Sequence, residues 1–171
     1  MDNYLLEFEI IDPLKLVDVI SLINRTAGIP LKNINLNNLV FHNNQPIFPG
    51  NGVYLFRKGR QVVYVGKNDS LSFVERIPKH LDLRQGAWFN KMLQHTNANV
   101  LKYEWNDESC IKANKYAIDN YNLVLVNFKY EIDERKYHIN RLERTLRASL
   151  EPFNKFKKFK IFDLEKRVTE Y

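Results

Sequence analysis

Cysteine is almost absent from this chain of 171 residues: Cys110 stands alone. One thiol makes no internal disulfide, and no Cys/His cluster with zinc-binding spacing accompanies it. A reducing cytoplasm is the expected compartment. No apolar run is long enough to span a bilayer, so no membrane partner is expected. The opening residues, MDNYLLEFEI, are acidic and lack the basic stretch before an apolar segment that marks a signal peptide. No internal repeat and no low-complexity block occurs. What is present is 44% hydrophobic, 13% aromatic and 27% charged, enough apolar material for a core and too much for wholesale disorder. The length suits one compact domain with extensions. A net charge of +6 and a pI near 9.3 favour polyanionic partners, nucleic acid first among them.

The N-terminal segment 1–49 reads as an arm and a helix packing on the core. Leu6, Phe8 and Ile10 alternate with Glu7 and Glu9, which predicts a half-buried strand. Pro13 opens a helical pattern that runs through Ile23 and stops at Gly28 and Pro30. Residues 33–49 read as loop with a short strand at 39–41. Residues 52–56 and 62–65 are β-rich and flank a turn at 57–61, a hairpin signal. Asn68-Asp69-Ser70 signals the start of a helix over 71–76, which Pro78 ends or kinks. Further on, helices are predicted at 88–94, 109–121 and 133–150 and strands at 100–105 and 123–132. The order predicts an α+β fold, with flanking helices on a small, mostly antiparallel sheet.

Two triplets carry the chemical signal: Gly52-Val53-Tyr54 and Tyr64-Val65-Gly66, on successive predicted strands with the tyrosines ten positions apart. Gly66-Lys67-Asn68 then leads into a helix that carries Arg76, with His80 four residues beyond it. Late in the chain, Glu143 lies on a strong helix followed by Pro152 and Asn154. Ile139, Leu142, Leu146 and Leu150 form that helix's apolar stripe, and Glu143 projects from its edge. A carboxylate buried there needs a positive partner. A divalent metal or an arginine would serve, and the ordinary alternative is an i,i+4 pair with Arg147.

In order and near-spacing these elements resemble the GIY-YIG nuclease family, with valine for isoleucine in both triplets. The resemblance covers about residues 50–154. It makes 50–155 a nuclease-like domain with an inserted helical region near 81–122, and 156–171 a basic, aromatic extension. It implies a metal-dependent DNA endonuclease that leaves 5′-phosphate and 3′-hydroxyl ends, most simply a restriction or defence enzyme. A repair or mobile-element nuclease remains open. So does a non-catalytic nucleic-acid-binding protein on the same scaffold, or a basic structural or RNA-associated protein. Under the resemblance Tyr54 is the general base, Tyr64 binds water or phosphate, Arg76 forks onto phosphate oxygens and His80 completes the catalytic set. Glu143 holds Mg²⁺ or Mn²⁺, and Asn154 braces the site or contacts phosphate.

A phenol titrates near ~10, and positive charge from Arg76, Lys67 and the metal is expected to lower Tyr54; Lys67 is also a candidate contact to the nucleic acid. Lys155, Lys157, Lys158 and Lys160 alternate with Phe156 and Phe159. They read either as contacts to a duplex backbone or as a terminal element that packs its aromatics. Loops 33–46 and 84–90 are polar enough to read bases. One such site cuts one strand, so a double-strand break calls for a homodimer or two binding events.

Strand geometry adds a constraint. Tyr54 and Tyr64 must share a sheet face to serve one phosphate. A direct pairing centres the hairpin on Gly59, which requires an odd-numbered loop or a bulge. Arg76 and Glu143 are expected to approach that same face.

Overall fold

The computed structural model describes residues 3–129, 131, 133–155 and 163–167. Its centre is the hairpin of β5 (Gly52–Lys58) and β6 (Gln61–Asn68), joined by pairing to β7 (Asn122–Asn127). Two pieces of the N-terminal segment complete the sheet. Strand β1 (Leu5–Glu7) runs parallel to β7 and β2 (Ile29–Pro30) antiparallel to it, on the side away from β5. The fold is α+β, and its sheet is mixed: the pairings β5–β6, β5–β7 and β2–β7 are antiparallel, as expected for most of it, and β1–β7 is parallel. Among the described residues strand β6 is an edge.

Alternation along the strands separates two apolar layers. Tyr54, Phe56, Tyr64, Leu123 and Leu125 face one way, against Phe73, Ile77, Met92, Leu93, Cys110 and Ala113. Those residues come from α4 (Phe73–Arg76), the 3-10 turn Pro78–Leu81 beside it, α5 (Lys91–Thr96) and α6 (Asp107–Asn120). Val53, Leu55, Val65, Val124 and Val126 face the other way. There α1 (Phe8–Ile11), α2 (Leu16–Arg25) and α7 (Arg135–Ser149) cover them. Arg57, 3% exposed, fastens α2 to the hairpin. Its guanidinium donates to Ile23 O at 2.9 Å and Asn24 O at 3.2 Å at the end of α2, and to Gly59 O at 3.1 Å in the hairpin turn.

The hairpin meets its parity constraint by a bulge. Lys58 pairs with Gln61 across Gly59 and Arg60, and Arg57 with Val62, but Phe56 pairs with Tyr64. Val63 is the extra residue. The shift returns Tyr64 to the face of Tyr54, whose direct partner is Gly66. The two tyrosines are therefore diagonal neighbours, not a direct pair.

Elsewhere local packing overrides the predicted elements. The first strand ends at Glu7, because Phe8 and Ile11 form one buried helical turn and Ile10 is left 55% exposed. Residues 39–41 belong mainly to α3 (Leu36–Val40), which Asn35 and Asn38 cap reciprocally. Only β3 (Phe41–His42) turns extended, pairing with β4 (Gln45–Pro46). No strand forms at 100–105. Asn97–Leu101 is a π turn, closed by Lys102 in the left-handed region at φ 60°. The last strand stops at Asn127, beyond which Phe128 N donates to Asn51 O. Among the described residues no helix is long and apolar enough to cross a membrane.

Candidate active site

The site begins with a missing side chain. A Cβ on Gly66 would lie 2.3 Å from Tyr54 Cζ, so only glycine lets the Tyr54 ring lean across β6. At the far end of that reach Tyr54 Oη accepts a hydrogen bond from Arg76 Nε at 3.1 Å and meets His80 Nε2 at 2.6 Å. Arg76 closes α4, a single turn with a capping box between Ser72 and Glu75. Its guanidinium stacks 4.5 Å above the Phe89 ring. Among the described residues nothing hydrogen-bonds its terminal nitrogens.

Arg76 and His80 do not share one α-helical face. Pro78 ends α4, and the chain tightens into the Pro78–Leu81 3-10 turn. Residues three apart eclipse in that geometry, so His80 falls beneath buried Ile77 and still reaches Tyr54. The imidazole sits edge-on to Tyr54, Phe56 and Tyr64, 5.2–5.6 Å between centroids. Burial, then Arg76, pulls its pKa down to about 3, so the ring is neutral. Its Nδ1 has no partner among the described residues. A hydrogen on Nε2 is thus the tautomer that leaves no buried N–H orphaned. Tyr54 Oη then accepts from both His80 and Arg76, and its own hydrogen is free to point elsewhere.

Among the protein's own groups, burial outweighs the positive charge near Tyr54. Burial pushes its pKa up, Tyr64 adds to that, and Arg76 opposes it only in part. Lys67 is held by its own neighbours: Nζ donates to Asp69 Oδ2 at 2.9 Å and to Asn140 Oδ1. Burial raises Tyr64 as well.

Glu143 arrives from the opposite layer. Helix α7 packs on the valine face, but β6 is the edge, and Glu143 reaches round it while remaining 8% exposed. Burial raises its pKa against the pull of Arg147, whose Nη1 lies 3.1 Å from Oε1. The i,i+4 pair and the cleft position coexist. Asn154 is a brace. Its Oδ1 accepts from Val65 N at 3.1 Å and its Nδ2 donates to Val65 O at 2.6 Å, so the amide clasps the outer side of β6 and leaves one Nδ2 hydrogen over. Arg147 Nε donates to Asn154 O at 2.9 Å, linking brace and carboxylate.

Tyr54, Tyr64, Arg76, Glu143 and Asn154 line one open cleft of about 440 Å³. His80 lies behind it. Lys67, Arg76, Lys91 and Arg147 also face this space, against Asp69 and Glu143 as its acids, so the cleft is net positive. Of the other basic candidates, Lys155 lies 3.4 Å from Glu151 in an exposed pair. Lys157, Lys158 and Lys160 lie outside the described residues.

Sequence reading missed Phe89, Lys91 and His95, which also line the cleft. Lys91 and His95 are four apart and share a helix face. That spacing becomes informative only once α5 is known to cover the tyrosine layer. Burial, with Arg147 and Lys91, lowers the pKa of His95.

Among the described residues no group of three or more His, Cys, Asp or Glu side chains converges. Two carboxylates line the cleft and each has a cationic neighbour, Glu143 with Arg147 at 3.1 Å and Asp69 with Lys67 at 2.9 Å. Such a donor set suits a hard divalent ion that keeps most of its water, and does not suit a caged metal. Compared with family models, curated proteins and solved structures, the chain gives no match.

Proposed function

We propose that this chain is a metal-dependent DNA endonuclease working as the GIY-YIG nucleases it resembles, with 5′-phosphate and 3′-hydroxyl products. The observation that carries the reading is the meeting, in one net positive cleft, of residues from three separate parts of the chain: Tyr54 and Tyr64, Arg76, and Glu143. Phosphodiester hydrolysis needs a placed water, positive charge on the phosphate and stabilisation of the leaving oxygen. Arg76 offers its terminal nitrogens to phosphate oxygens while Phe89 fixes the guanidinium plane. Tyr54 rests as a neutral phenol. Its oxygen accepts from Arg76 and His80, so its own hydrogen is free to donate to a water or a phosphate oxygen in the cleft, and the base role that the resemblance implies requires that this proton first pass to solvent. Tyr64 orients that water or the phosphate. Glu143 would hold Mg²⁺ or Mn²⁺, and such an ion, when bound, supplies the charge that steadies the leaving 3′ oxygen. A restriction or defence role is the simplest biological setting, in the cytoplasm, with a homodimer where both strands are cut.

The rival reading is a nucleic-acid-binding protein without catalysis. The Glu143–Arg147 pair favours it, because that pair compensates the carboxylate within its own helix. Incubation with supercoiled plasmid and defined duplexes, in Mg²⁺ and then in EDTA, separates the two. Nicking that needs Mg²⁺, with Glu143→Ala inactive but still able to bind DNA, is expected. Binding without cleavage by the wild type would establish the rival. Neither binding nor cleavage would remove both.

A further inference from the structure

Trp88 is 80% exposed, the largest apolar side chain left so open. Among the described residues it makes no hydrogen bond, ring contact or cation–π contact. The loop that carries it is well fastened. Asn90 Nδ2 donates to Arg84 O at 2.7 Å, bridging the loop's two ends. Gln85 and Trp105 exchange hydrogen bonds, with Gln85 Nε2 on Trp105 O at 3.1 Å and Trp105 Nε1 on Gln85 O at 3.3 Å. Gln85 N reaches Asp107 Oδ1 at 3.3 Å. Such anchoring holds the indole out and stops the loop from folding it inward to bury its surface.

The surroundings identify what would cover it. The next residue, Phe89, lines the catalytic cleft. Arg76 and Lys79 lie 4.5 and 5.2 Å from the Phe89 ring centroid, and Lys91 follows two positions on. An exposed indole beside clustered cations at the mouth of a positive cleft is the arrangement that binds unpaired nucleotides. The cations take the phosphates and the ring takes a base face. A fully paired duplex keeps its base faces stacked and offers the indole none.

We infer that Trp88 stacks on an unpaired nucleobase next to the phosphate held in the cleft, so that the preferred substrate is DNA with an unpaired nucleotide beside the cut. This rests on the nuclease reading and narrows its substrate. The test uses end-labelled DNA duplexes, one fully paired and one with a single unpaired nucleotide, bound in EDTA and followed by anisotropy and tryptophan emission. The wild type is expected to prefer the unpaired-nucleotide duplex, with emission quenched in wild type but not in Trp88→Phe. Trp88→Ala should lose about fivefold to a hundredfold in affinity for that duplex, the range that base–aromatic stacking contributes, with the paired duplex little changed. Trp88→Phe should keep most of it. DNA binding that ignores both the unpaired nucleotide and Trp88→Ala overturns the inference and leaves the nuclease reading standing. A Trp88→Ala change confined to self-association, seen by sedimentation, assigns the indole to a second copy and also overturns it. No DNA binding by the wild type ends both.

Discussion

Gly66 and Glu143 set the chemistry of the cleft in opposite ways, one by lacking a side chain and one by burying a charge. Any Cβ on Gly66 meets the Tyr54 ring well inside contact distance, with Tyr54 Oη at 2.4 Å. Gly66→Ala must therefore push the phenol off Arg76 and His80. The expected outcome is a loss of about 1–3 kcal/mol in denaturant unfolding, as overpacking costs, together with loss of cleavage. Unchanged activity in a stably folded Gly66→Ala protein would falsify the Tyr54 assignment. Glu143 behaves differently. Its folded pKa is raised by burial, so its linkage favours folding below the ordinary carboxylate pKa and is lost as pH rises through the folded value. At neutral pH the charge is thus a cost to stability. Glu143→Gln keeps the volume and removes that cost. It should be at least as stable as wild type at neutral pH while metal-dependent cleavage falls about a hundredfold or more. A melting curve and a single-turnover assay on the same preparation check the pair.

At the scale of elements, the hairpin β5–β6 and the helix α7 were legible by different signs. Two β-rich runs around a turn mark 52–56 and 62–65, and a helical stripe marks Ile139, Leu142 and Leu146. The bulge at Val63 was legible only as a requirement of parity. Which residue would supply it depends on packing against layers that the hairpin does not contain. The arm 1–49 showed its long helix and part of β1 but hid β2. Ile29 and Pro30 pair with β7, a partner that lies about ninety positions away in sequence. Pro78 ends the helix before His80, and the 3-10 turn it starts is what turns the imidazole inward. That turn has a consequence for pH. A neutral His80 at the ordinary value of 6.5 when unfolded and about 3 when folded contributes stability that is full above pH 6.5. The contribution is lost as pH falls from 6.5 toward about 3, because the unfolded chain takes up a proton that the folded one refuses. His80→Phe, which keeps a ring in the aromatic pocket, should lose less stability than wild type across that window. Parallel denaturation midpoints for the two proteins would refute the buried neutral imidazole.

At the scale of the whole molecule, the charge surplus of +6 is a claim about long-range attraction. Within the cleft Lys67 is already paired with Asp69, and outside it Lys155 sits by Glu151. The densest run of cations is that of the C-terminal extension, where Lys155, Lys157, Lys158 and Lys160 fall within six residues and no acid occurs among residues 155–162. If they reach the duplex backbone, each releases condensed counterions on binding. The affinity of the wild type should then fall linearly on a log–log plot against salt, with a slope of about −0.9 for each phosphate neutralised. Replacing Lys157, Lys158 and Lys160 by glutamine should flatten that slope by about 2–3 units. The rate of cleavage once DNA is bound should not change, because these residues contribute attraction and not chemistry. Titrations of a labelled duplex at several salt concentrations, in EDTA, give the slope directly. A triple variant with the wild-type slope would assign the extension to packing and leave the cleft's own Arg76, Lys91 and Arg147 as the principal electrostatic footprint.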